Sequence, residues 1–121
     1  MPTTLEARQF ARDWIAAWNS HNLDRILSHY ASNVVLSSPA AAKLLKEQSG
    51  TVNGIDGLRN YFQRGLDAFP NLRFDLIDVL VGVSSVVLLF NNQRGTQTAE
   101  FMELDPNGRV IMSWPTTPTD E

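Results

Sequence analysis

The chain has 121 residues, no cysteine, and a net charge of -3 from 10 basic and 13 acidic side chains scattered along it. That length suits one domain with one core. The charge offers no basic stripe to follow a phosphate backbone, so nucleic acid is not an expected partner, and the absent thiols exclude a disulfide framework, thiolate zinc sites and a cysteine nucleophile.

Thr3 followed three residues later by Glu6 is a capping-box signal, and Phe10, Trp14 and Trp18 then recur at i, i+4 and i+8 beside Leu5, Ala7, Ala11 and Ile15. The spacing predicts a first helix over about 4–19. The string NSHN breaks it, and Asn22 caps a second short helix whose stripe is Leu23, Ile26, Leu27 and Tyr30. An apolar strand follows over 33–38 and stops on Ser37, Ser38 and Pro39. The segment PAAAKLLKEQSG reads as a short surface helix or ordered loop. Leu58, Tyr61, Phe62, Leu66 and Phe69 then mark a third main helix over about 56–68, closed by Pro70.

From Leu72 the period changes. LRFDLIDVLVG, SSVVLLFNNQRG, QTAEFMELD and GRVIMSW are β-rich runs separated by turn signals, which predicts an antiparallel four-strand meander. Helices first and strands last give an α+β architecture, with the early strand joining the same sheet. Residues 1–115 are expected to form one domain and 116–121 a disordered tail. The N-terminus lacks the pattern of a secretory leader and no apolar run reaches membrane-span length, so no membrane partner and a soluble cytoplasmic protein are expected.

Val86 to Phe90 is apolar at every position, as expected of a strand covered on both faces. Helices can cover one face, and a second copy of the sheet the other; a homodimer through the outer sheet face is the expectation. Trp14, Trp18, Tyr30 and Phe62 from the first half, with Phe74, Phe90, Phe101 and Trp114 from the strands, suit either a packed core or a lined ligand cavity.

The strings WIAAWNSHNLDRILSHYASNVVLSSP, LRNYFQRGL and FMELDPNGRVIMSW, in this order and spacing, resemble the nuclear transport factor 2-like superfamily, in particular its SnoaL-like branch and the ketosteroid isomerases. The resemblance implies a cone: a bent antiparallel sheet packed on three helices of the N-terminal half, enclosing a pocket for a hydrophobic small molecule, often in a dimer. It does not imply one activity, because the superfamily hosts several. The general base of the isomerases falls on Ser38, whose hydroxyl needs a base of its own. Their oxyanion tyrosine falls on Trp14, which keeps one N–H donor. Their second, acidic oxyanion residue falls on Glu100, the one position of the three that keeps its chemical type.

Strand alternation places Glu100 on the face of Met102 and Leu104. Facing a cavity, it is a buried acid; otherwise it pairs with Arg94 across the turn. His21 and His29 have no partners at ligand spacing, so no metal and no cofactor are expected. Ser37 and Ser38 lack an elbow motif, and satisfying backbone groups at the strand end is the plainer role. The reading is a SnoaL-like small-molecule-binding domain of unassigned activity, with Trp14, Trp18, Tyr30, Phe62, Phe74, Phe90, Met102 and Trp114 as ligand contacts and Glu100 and Ser38 as catalytic candidates. The alternative is an enzyme of the isomerase, cyclase or dehydratase kind acting on a hydrophobic carbonyl compound, with Glu100 as acid.

Overall fold

The first helix begins where the capping box places it. In the computed structural model of the protein, which describes residues 2–119, the Glu6 N–H donates to Thr3 Oγ1 at 3.0 Å and the Thr3 N–H donates to Glu6 Oε1 at 3.0 Å. Helix α1 then runs Thr4–Ser20 and buries Ala7, Ala11, Trp14, Ile15, Ala17 and Trp18. Small alanines bring its axis close to the sheet, while the two indoles reach across. Asn22 caps α2, Leu23–Leu27, by accepting from the Arg25 N–H at 3.1 Å.

Strand β1 spans Tyr30–Ser37 and starts three residues ahead of the predicted Asn33, because Tyr30 already pairs with Val110. Tyr30 thus belongs to the sheet and not to the helical stripe. Helix α3, Pro39–Leu44, carries its proline at the helix start, where the missing N–H costs no bond. The short strand β2, Thr51–Asn53, was not predicted, since three residues show no period; only its pairing with Val35 to Ser37 defines it. Helix α4 spans Gly54–Ala68, and β3 Asp75–Val81, β4 Ser85–Asn91, β5 Gln97–Leu104 and β6 Val110–Thr116 complete the chain.

The six strands form one sheet in the order β2-β1-β6-β5-β4-β3. Every neighbouring pair is antiparallel except β1 and β6, which run parallel. The meander β3-β4-β5-β6 is antiparallel as expected, and the early strand joins the same sheet in parallel with β6. Tight turns dictate direction within the meander, but β1 and β6 are joined through the rest of the chain and no hairpin constrains them.

Register shifts interrupt β3 between Leu76 and Asp78, β5 against β6 at Glu103–Leu104, and β1 against β6 after Tyr30. Such irregularities bend strands, and the curved sheet receives α1 against β3 and α4 against β1. Along β4, Val86, Leu88 and Phe90 are buried beneath the helices, while Val87 and Leu89 are half-buried on the other face. A single copy therefore covers only one face of this strand. β6 continues through Thr116, one residue into the expected tail; Asp120 and Glu121 lie outside the described residues. Among the described residues no helix is long and apolar enough to cross a membrane.

Candidate functional site

Alternation along β5 turns Thr98, Glu100 and Met102 toward the helices and Phe101 away from them. Glu100 is 5% exposed, and its one hydrogen-bond partner is the Ser113 hydroxyl, which donates to Oε2 at 2.8 Å. Burial pushes the carboxyl up to about 7, against the smaller opposing effect of the Ser113 bond. The alternative pairing with Arg94 does not occur: Arg94 is exposed, and the ion pairs among the described residues are Arg59–Asp24 at 3.0 Å and Arg73–Asp75 at 3.4 Å.

Around the carboxyl lies the aromatic cluster. Trp14, 1% exposed, donates its indole N–H to the Tyr30 hydroxyl at 3.0 Å. Its ring stacks on Phe74 at 5.8 Å and leans on Phe90 at 5.4 Å. Trp18 meets Phe62 edge-on at 4.7 Å, Tyr30 meets the same ring at 5.4 Å, and Phe74 lies 4.6 Å from Phe90. The expectation of a cavity among these rings meets a set of rings in mutual contact. Two surface concavities lie apart from them, one of about 200 Å³ between Arg8, Arg12 and the edge strand β3, the other of about 260 Å³ on the outer sheet face beside Leu89, Ala99 and Thr116.

Two phenols sense the same carboxylate. Burial raises the Tyr30 hydroxyl well above its ordinary value, Glu100 raises it further, and the Trp14 and Trp18 indoles pull it back. Tyr61 is raised by burial, eased by the Ser38 hydroxyl and raised again by Glu100. Tyr61 and Ser113 are the site residues that sequence reasoning missed. Tyr61 passed as one more apolar position of a helix, and nothing in RVIMSW marks its serine as facing an acid on the neighbouring strand.

Two expected site residues take other places. Trp114 pairs directly with Phe101, ring to ring at 5.4 Å, on the outer sheet face; register with an outward residue carries it away from Glu100. Ser38 is the N-cap of α3, its Oγ accepting from the Ala40 and Ala41 N–H groups at 3.1 and 3.3 Å. The hydroxyl therefore satisfies backbone groups at the strand end, and no base is among its hydrogen-bond partners to activate it.

His21 holds a left-handed conformation at the end of α1 and its Nε2 bonds the Leu72 carbonyl at 2.7 Å. Beside it, Asn19 makes a reciprocal pair with the Phe74 backbone, at 2.9 and 2.7 Å. These bonds tie the loop before β3 to α1 and set Phe74 over Trp14. His29 bonds the Arg25 carbonyl at 3.2 Å and meets Phe10 edge-on. Among the described residues no three His, Asp or Glu gather to hold a metal.

A curved six-strand sheet closed by helices of the N-terminal half, with one buried carboxyl under aromatic rings, defines a protein of the nuclear transport factor 2-like fold. The chain belongs to the SnoaL-like domain family, which matches residues 11–114. It is similar to a SnoaL-like protein of unknown function from Burkholderia thailandensis, with 36% identity, a TM-score of 0.93, and coverage of 98% of this chain and 100% of that one. A nuclear transport factor 2-like protein of unknown function from Burkholderia pseudomallei shares the fold at 16% identity and TM-score 0.75, over 93% and 90% of the two chains. TerC, co-crystallised with polyporic acid, does so at 13% identity and TM-score 0.75, over 93% and 91%. No functionally curated protein matches the sequence.

Proposed function

We propose that this SnoaL-like domain binds a hydrophobic small molecule against its aromatic cluster, with Glu100 as the polar anchor. The observation that carries the reading is a buried carboxyl with a single hydrogen bond, from Ser113. A buried acid of that kind disfavours folding, and such groups cluster at functional sites. With its pKa at about 7, Glu100 is available near neutral pH both as a donor, when neutral, and as an acceptor, when ionised. Trp14, Trp18, Tyr30, Phe62, Phe74, Phe90 and Met102 supply the apolar surroundings. Because the rings touch, a guest enters by parting them. That TerC, of the same fold, was co-crystallised with polyporic acid supports a fold able to host an organic guest.

A thermal-shift screen with steroids, polyketides and terpenes tests this. A ligand that binds only the folded state must raise the melting temperature, and a panel that leaves it unmoved would end the proposal. The second reading is an enzyme of the isomerase, cyclase or dehydratase kind. Its support is that same carboxyl, poised near the pH at which general acids work best. Protein-dependent exchange of α-protons in a bound carbonyl compound in D2O, lost in Glu100→Gln, separates catalysis from binding alone.

We propose further that the protein is a cytoplasmic homodimer through its outer sheet face. Leu80, Val87, Leu89, Phe101, Met112 and Trp114 lie there, Phe101 being 38% exposed and Leu80 52%. A contiguous apolar face of this kind marks an interaction surface, and a two-fold axis would stack Phe101 and Trp114 against their copies. Phe101→Glu is expected to convert a dimer into a monomer in sedimentation equilibrium. A wild-type protein that sediments as a monomer at every concentration refutes the dimer.

A further inference from the structure

Among the described residues, one buried side-chain nitrogen or oxygen has no hydrogen-bond partner: the indole nitrogen of Trp18. The residue is 7% exposed, and an unpaired N–H in such a place costs roughly 1–3 kcal/mol, so native structures seldom keep one without a use. The neighbouring indole shows how the need is met elsewhere, since Trp14 donates to Tyr30 at 3.0 Å. Trp18 also lies near the Tyr30 hydroxyl and, like Trp14, favours its ionised form, but that oxygen already accepts from Trp14 and no atom meets hydrogen-bond geometry with the Trp18 nitrogen. Its ring packs against Phe62 at 4.7 Å, Phe74 at 5.7 Å and Trp14 at 6.1 Å, none of which offers an acceptor oxygen or nitrogen.

We propose that Trp18 determines the specificity of the buried site, its unpaired indole N–H receiving an acceptor oxygen of an otherwise apolar guest. The inference rests on the small-molecule reading above and narrows it. The donor inventory sets the ligand class. Indole N–H can only donate, and the Tyr30 hydroxyl, already accepting from Trp14, has its own proton left to give. An aromatic ketone, ester or quinone therefore fits, and the same skeleton without oxygen leaves the donor unsatisfied. Sites built to hydrogen-bond a ligand atom reject the analogue lacking it far more strongly than apolar pockets reject a missing methylene.

The test compares 1-tetralone with tetralin, which share a skeleton and differ by one carbonyl. Binding is followed by calorimetry and by the indole N–H signals of the 15N-labelled protein, with Trp18 assigned by the loss of its signal in Trp18→Phe. The expected result is at least tenfold tighter binding of the ketone, a downfield move of the Trp18 proton on adding it, and loss of the preference in Trp18→Phe. Should that variant fail to fold, the wild-type signal, assigned instead by through-space contact with the Phe62 ring 4.7 Å away, still decides the matter. A Trp18 proton already at a hydrogen-bonded position in the free protein and unmoved by the ketone overturns the inference, since a trapped water would then be its partner. Equal binding of both probes overturns it and leaves Glu100 as anchor; binding of neither removes the small-molecule reading and this inference together.

Discussion

Glu100→Gln is expected to stabilise the protein at alkaline pH and to change it little in acid. The folded state holds the Glu100 proton up to about pH 7, whereas the unfolded chain releases it near the ordinary value of 4.5. The stability contributed by the neutral carboxyl is therefore fully present below about pH 4.5 and lost as the pH rises to about 7. At 1.36 kcal/mol for each unit, the loss is about 3 kcal/mol once the group is ionised. Glutamine has the same shape and no charge to desolvate, and its amide oxygen can keep the bond from Ser113.

Denaturant unfolding of the two proteins as a function of pH checks this, because every other titrating group cancels in the difference. The curves are expected to coincide near pH 4.5 and to separate by about 3 kcal/mol at about pH 8, roughly 10 °C in melting temperature. A difference constant across that range would mean that Glu100 ionises in the fold as it does in the open chain. The proposed buried anchor would then be lost, with the acid role beside it.

The helices were legible because their signals are local. Thr3 and Glu6 cap one another, Asn22 caps α2, and Pro70 stops α4, each within one turn of the chain. What depends on distant pairing was not. Tyr30 has the spacing of a helical stripe but joins a parallel ladder with Val110, which lies at the other end of the sequence. The face of β5 was undetermined for the same reason: alternation groups Glu100 with Met102 without saying which side meets α1. Trp114 went astray because its face depends on register with Phe101. Ser113, three residues after the start of β6 at Val110, acquires its role only when β6 lies beside β5.

The Trp14–Tyr30 bond carries the second large effect. Trp14→Phe removes part of a fully buried ring that stacks on Phe74 and leans on Phe90, and leaves the Tyr30 hydroxyl without its donor; a cost of about 3 kcal/mol is expected from cavity and hydrogen bond together. Tyr30→Phe keeps the ring against Phe62 and strands a second indole N–H beside the unpaired one of Trp18, at about 2 kcal/mol. With both changes, neither partner is left wanting, so the double variant should be less destabilised than the sum by about 1–2 kcal/mol. Denaturation midpoints read at unchanged m-values measure the coupling. Strict additivity would mean that the 3.0 Å contact contributes nothing beyond ring packing, and that polar atoms beneath α1 are tolerated there without being used.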